Sequence, residues 1–217
     1  MNIEQARFNM IEQQIRPWDV LDQGVLSLLA VVKREDFVPT AYKALAFVDT
    51  EVPLPNGQCM LAPKVEARLL QELDVRKHER VLEVGAGSGY MAALLGHKAQ
   101  QAITMEIDAQ LAEMARANLR RAGVMNVGVR QADGSRGLAE EGPFDAILLS
   151  GSVAEVPAQL LAQLKVGGRL AAIVGQQPIM RAMLFTRNAE HDFSSVELFD
   201  TVAPRLVGFD EPSRFKF

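Results

Sequence analysis

Apolar residues near the start of the chain recur at helical spacing. Ile3, Ala6, Met10, Ile11 and Ile15 alternate with Glu4, Arg7, Glu12 and Gln13, which predicts a helix over 3–16 stopped by Pro17. A second helix is expected from Asp22 through Val25, Leu26, Leu28, Leu29, Val31 and Val32 to about Arg34-Glu35. Pro39, Pro53, Pro55 and the Asn56-Gly57 turn signal then mark an irregular stretch. From residue 64 onward the pattern alternates between helix and strand. It predicts a helix over 65–73, strand 81–84, helix 89–97, strand 102–107, helix 108–122 opened by Asp108, and strand 127–131. The run Phe144-Asp145-Ala146-Ile147-Leu148-Leu149 suits a strand covered on both faces, and helix 156–165 leads through Gly167-Gly168 to strand 169–174.

Five strands with helical crossovers predict an α/β architecture, a doubly wound and mostly parallel sheet. The tail differs. Residues 180–186 and 196–202 read as strands joined by a polar loop with no room for a crossover helix, so an antiparallel pair is expected at one sheet edge. The first sixty residues hold no sheet core of their own. Residues 1–63 therefore read as an N-terminal helical cap with a loop, and 64–217 as the sheet domain.

At 217 residues, 48% hydrophobic and 23% charged, the chain is sized for one domain with an appendage. A formal net charge of −4 argues against nucleic acid as the main partner, and Arg116, Arg120 and Arg121 read as a solvated helix face. No apolar stretch reaches the length of a membrane span, and Met1 to Arg7 includes Glu4 and no apolar signal core. The single cysteine, Cys59, has no internal partner, and His78, His97 and His191 form no spaced ligand set, so no metal site is expected. The expected setting is cytoplasmic, without a membrane partner.

The chemistry concentrates in Val81-Leu82-Glu83-Val84-Gly85-Ala86-Gly87-Ser88-Gly89-Tyr90, a buried strand running into a glycine-rich turn and a helix. Glu106 follows Gly85 by twenty-one positions at the end of the next apolar run. A carboxylate there can accept both hydroxyl protons of a ribose. Dinucleotide folds favour G-x-G-x-x-G, whereas here Tyr90 takes the place of the third glycine. Asp133-Gly134 follows the third strand, where the carboxylate could accept an adenine amino group and the glycine permits close approach. Glu83, an acid inside an apolar strand, is expected to hold the turn's backbone amides or face a ligand amino group. Tyr90 and Met91 are expected on the pocket floor. No nucleophile–base–orienter set is evident.

The G-x-G-x-G turn resembles the first motif of S-adenosylmethionine (SAM) methyltransferases. More of the chain resembles one family, the protein-L-isoaspartate (D-aspartate) O-methyltransferases. Arg34-Glu35-Asp36-Phe37-Val38-Pro39 is similar to the family's R-x-x-F-V-P segment, and Pro53 to Gln58 to the approach to its substrate loop. Leu82 to Tyr90, Asp133-Gly134, Gly142 to Ile147, Gly168-Arg169-Leu170 and Val174-Gly175 continue the likeness, which covers roughly residues 7–186. One departure stands out: where the family's loop reads T-I-S-x-P, this chain has Cys59-Met60-Leu61-Ala62-Pro63, with Leu61 at the serine position.

The resemblance implies a Rossmann-like class I SAM methyltransferase sheet with an antiparallel edge. It implies a donor site from Glu83, Gly85, Ala86, Gly87, Ser88, Gly89, Glu106, Ile107, Asp133 and Gly134, with Cys59, Leu61 and Pro63 the substrate-loop candidates. The implied acceptor is a carboxylate of isoaspartyl residues in damaged protein or peptide. Two alternatives stay open: a small-molecule acceptor, consistent with the greasy Met60-Leu61-Ala62, and a SAM-binding protein without catalytic activity.

Overall fold

The computed structural model describes residues 2–211, so Met1 and residues 212–217, the outer ends of the two expected domain ranges, lie outside the described residues. The N-terminal part holds α1 (Ile3–Met10), α2 (Gln23–Val31) and a two-stranded antiparallel ribbon, β1 (Val52–Pro53) with β2 (Cys59–Met60). Then follow α3 (Pro63–Leu73), β3 (Arg80–Val84), α4 (Tyr90–Lys98), β4 (Gln101–Glu106), α5 (Ala109–Arg121) and β5 (Val127–Gln131). The chain continues with β6 (Phe144–Val153), α6 (Ala158–Ala162), β7 (Leu164–Gln176), β8 (Ile179–Ala189) and β9 (Asp192–Asp200).

The main sheet has seven strands in the order β5-β4-β3-β6-β7-β8-β9. Strands β5, β4, β3, β6 and β7 run parallel to one another, β8 pairs antiparallel with β7 and β9 antiparallel with β8, so the expected architecture is present. The strand order reverses between β3 and its two neighbours, which opens a crevice outside the carboxyl ends of β3 and β4.

Several boundaries differ from the expected ones for local reasons. The first helix is α-helical only to Met10; it widens into a π turn over Ile11–Ile15 and tightens into a 3₁₀ turn at Arg16–Trp18 that contains Pro17. Proline fits the start of such a turn because its missing N–H has no partner there. Helix α2 stops at Val31 because Val32 and Lys33 are extended, which leaves Arg34–Asp36 as a separate 3₁₀ turn. The expected helix 156–165 shrinks to α6, since Leu164 already pairs with Phe144. Gly167-Gly168 therefore forms a bulge inside β7 rather than a turn ahead of it. Residues 201–202 leave the sheet after β9, and the tail crosses back to β6. There Leu206 N–H donates to Ser152 O at 2.9 Å and Ser152 N–H donates to Pro204 O at 2.8 Å.

Two apolar layers cover the sheet. Leu82, Val84, Ile103, Met105, Ile147 and Leu149 face a layer that includes Leu160 of α6. Val81, Ala146, Leu148 and Ile173 face the opposite layer, shared with α3, α4 and the N-terminal segments through Ile15, Leu29, Phe37 and Leu69. No helix among the described residues is long and apolar enough to cross a membrane.

Arg34 is fully buried in that second layer. Its guanidinium pairs with Glu66 of α3, donates to Leu61 O at 2.8 Å and stacks over the Tyr90 ring at 5.1 Å. One cation thus joins the N-terminal part, the 59–62 loop and α3. Arg34→Ala would leave Glu66 buried and unpaired, and a destabilisation of about 3–5 kcal/mol is expected from denaturant unfolding. In the double variant Arg34→Met/Glu66→Leu, with no buried charge left, most of that loss should return.

Candidate active site

The glycine turn is built by backbone geometry. Gly85, Gly87 and Gly89 all have positive φ, at 95°, 51° and 84°. At Gly89 a side chain is excluded twice over, because a Cβ would also lie 3.1 Å from the Ala115 backbone of α5. The turn lets α4 begin at Tyr90 and seats its start against α5. Gly85 N–H and Ala86 N–H both donate to Met105 O, at 2.8 and 3.2 Å, which anchors the turn to β4.

Glu106 ends β4 and is 6% exposed. One oxygen accepts from Gly87 N–H at 2.8 Å and the other from Asp108 N–H at 3.0 Å. Each oxygen keeps further acceptor capacity, and the carboxylate lines the crevice beside Gly85, Gly87, Ile107 and Gly134. Asp108 caps α5 as expected, accepting from Gln110 N–H and Leu111 N–H at 2.8 and 3.0 Å. Asn56 donates to Asp108 at 2.7 Å and so draws the 55–57 turn over one side of the crevice. Leu206 covers another side: a Cβ at Gly85 would meet its Cδ2 at 2.7 Å. The crevice encloses about 50 Å³.

A second, inner cavity of about 30 Å³ lies behind the turn. Its walls include Cys59, Leu61, Glu66, Glu83, Ala86 and Ser88. Pro63 is buried at the first turn of α3 and holds the loop in place. The Tyr90 hydroxyl, at the wall of this cavity, is buried without a partner, and its ring packs edge-on against Phe37. Burial, reinforced by Glu51, pushes the Cys59 thiol up to about 12, which leaves it a protonated, poorly nucleophilic group.

Of the two parts expected for Glu83, it does not take the first. It binds no backbone amide of the turn; that work falls to Glu106. Instead Thr104 Oγ1 and Ser150 Oγ donate to its two oxygens, each at 2.6 Å. The register explains the set. Glu83 pairs with Thr104 on β4 and with Leu148 on β6, and Ser150 stands two residues beyond Leu148 on the same face. Asp133 is exposed at the outer mouth, where it accepts from Ser135 N–H at 2.9 Å; Gly134 alone of that pair lines the crevice. The sequence reading passed over Thr104, Ser150, Gln58 and Leu206. Only Ser150 and Thr104 carried a signal, as hydroxyls near the carboxyl ends of the strands that flank Glu83.

A parallel sheet reversing at a glycine turn, with an acid at the next strand end, defines the nucleoside-binding fold of class I methyltransferases. The family model described as protein-L-isoaspartate(D-aspartate) O-methyltransferase matches residues 5–202. A protein-L-isoaspartate O-methyltransferase of Koribacter versatilis is 39% identical over 93% of this chain and 90% of its own length. One from Rhodopseudomonas palustris is 40% identical over 92% of each chain. A crystal structure from Plasmodium falciparum of the same description, in complex with S-adenosyl-L-homocysteine, shares the fold with a TM-score of 0.75 at 22% identity, covering 91% of this chain and 96% of that one. The chain belongs to the protein-L-isoaspartate (D-aspartate) O-methyltransferase family.

Burial, reinforced by Glu66 and Glu106 and opposed by the two hydroxyl contacts, pushes Glu83 up to about 8 from an ordinary 4.5. The folded state therefore holds a proton that the unfolded state releases. Its contribution to stability is complete below the ordinary value and is lost as pH rises towards 8. Between pH 5.5 and 7.5, stability measured by urea unfolding should decline more steeply for wild type than for Glu83→Gln, by up to about 1.4 kcal/mol per pH unit.

Proposed function

We propose that this protein transfers a methyl group from SAM to the free carboxylate of isoaspartyl residues in protein or peptide chains. The observation that carries the reading is the junction of the two spaces. The outer crevice carries the ribose-type acid Glu106 and the glycine turn, and it meets the inner cavity beneath the 59–61 loop. Glu106 would hold the ribose hydroxyls, and the turn between Gly85 and Gly89 would admit the amino-acid end close to the backbone.

When bound, SAM supplies a methyl group already activated on a sulfonium. The acceptor oxygen forms the new C–O bond as the C–S bond breaks and its electron pair stays on sulfur. A carboxylate is ionised at neutral pH, so no general base is needed. That agrees with a protonated Cys59 and the absence of a nucleophile–base pair at the junction among the described residues. The chain's work is alignment and exclusion of water, which Met60, Leu61 and Met91 supply from one side of the inner cavity. Pockets that bury ligands of this size hold about 300–1,000 Å³, so Leu206 and Val207 at the crevice mouth must give way on binding. The apolar Leu61 favours a second reading, a smaller and less polar acceptor in the same cavity.

Labelled methyl transfer to an isoaspartyl peptide, with its aspartyl twin as control, tests the reading. Transfer to the isoaspartyl form alone is expected; transfer to neither peptide, with SAM bound, would move the acceptor to the small-molecule class. Leu61→Ser should raise isoaspartyl turnover while leaving SAM affinity near wild type. Glu106→Ala should weaken SAM binding in calorimetry by about tenfold or more, since two hydroxyl contacts and the Gly87 anchor go together.

A further inference from the structure

The crevice and the inner cavity share four lining residues: Cys59, Gly85, Gly87 and Ser150. Two are glycines, so the seam offers two polar side-chain groups, the Cys59 thiol and the Ser150 hydroxyl. A methyl group moving from the crevice to an acceptor in the inner cavity crosses this seam, and the acceptor oxygen has to sit beside it. The thiol is a weak donor, kept protonated by burial and the nearby charge of Glu51. Leu61 offers no donor at all.

The hydroxyl of Ser150 is placed with some rigidity. Its residue lies in β6 at the irregular step between Leu148 and Ser152, where the pairing with β7 shifts register, and its Oγ is fixed by the 2.6 Å contact with Glu83 Oε1. The other Glu83 oxygen is held at 2.6 Å by Thr104, which limits the carboxyl to one orientation. Ser150 is half-buried rather than sealed, because its outer side opens onto both spaces.

We propose that Ser150, oriented by Glu83, supplies the hydroxyl that contacts the reacting carboxylate, a contact that Leu61 cannot make. The proposal rests on the isoaspartyl reading above and deepens it. An acceptor carboxylate can only accept, so Ser150 must keep its own proton for it. Ser150 Oγ donates to Glu83 Oε1 at 2.6 Å, and the two groups can exchange roles: while the buried carboxyl carries its proton it can donate to Ser150 Oγ instead, which frees the serine proton to turn outward. Glu66 on α3 and Glu106 on β4, the other acids near Glu83, act in the same direction. Transfer itself moves no proton here; the hydroxyl orients one carboxylate oxygen at the seam.

The test compares wild type, Ser150→Ala, Ser150→Thr and Ser150→Ala/Leu61→Ser on the isoaspartyl and aspartyl peptides. S-adenosyl-L-homocysteine affinity, and peptide affinity for the protein loaded with it, are read by calorimetry. Ser150→Ala should lower kcat/KM about tenfold and weaken the peptide by a similar factor, with S-adenosyl-L-homocysteine affinity within about threefold. Ser150→Thr should keep wild-type behaviour, and Leu61→Ser should restore much of what Ser150→Ala loses. Wild-type kcat/KM and peptide affinity in Ser150→Ala overturn the assignment and leave the isoaspartyl reading standing. A wild-type enzyme that methylates neither peptide overturns both. If Ser150→Ala does not fold, the size-matched Ser150→Cys carries the test, with the same fall expected and wild-type activity overturning it.

Discussion

A single buried carboxyl governs the geometry of the site. Glu83 sits in the central strand, and through Thr104 and Ser150 it ties β4 and β6 to β3 at the edge where both spaces open. An acid in an apolar interior is tolerated only with its hydrogen bonds made. Both oxygens here are engaged, and both partners are hydroxyls that can reverse their roles as the carboxyl gains or loses its proton. A salt bridge at the same place would have locked one charge state. The hydroxyl pair keeps the strands in register in either one.

Around that centre the two halves of the site are made of different material. The outer half is largely main chain: positive-φ glycines, amides on Met105 O, and an acid whose own oxygens bond amides. The inner half is side chain, with Leu61, Met60, Tyr90 and the Arg34–Glu66 pair setting its shape. Arg34 links this inner half to the N-terminal part, so that part is not an ornament on the sheet. It contributes one wall of the cavity through the 59–62 loop, whose Leu61 carbonyl Arg34 holds.

The strands and crossovers of the sheet were legible because periodicity reports which faces are covered, and the turn because its glycines occupy backbone conformations few other residues adopt. The cap Asp108 was legible for the same local reason, as was the start of α2 beside Asp22. Legibility failed where a distant partner decides. Helix 156–165 yields to β7 because Leu164 pairs with Phe144, which no local pattern reports. Glu83 could be recognised as a buried acid, yet its partners depend on the register of β3 against β4 and β6. Ser150 and Leu206 reach the site only once the sheet order and the returning tail are known.

The division between main chain and side chain has an evolutionary consequence. Substitutions at most positions alter side chains and leave amides where they are, so the outer half resists drift except at its glycines and Glu106. The inner half has no such protection, because the side chains of Met60, Leu61 and Tyr90 are themselves what shapes it. A lineage carrying this architecture can trial new acceptors one residue at a time without ever losing its hold on the methyl source.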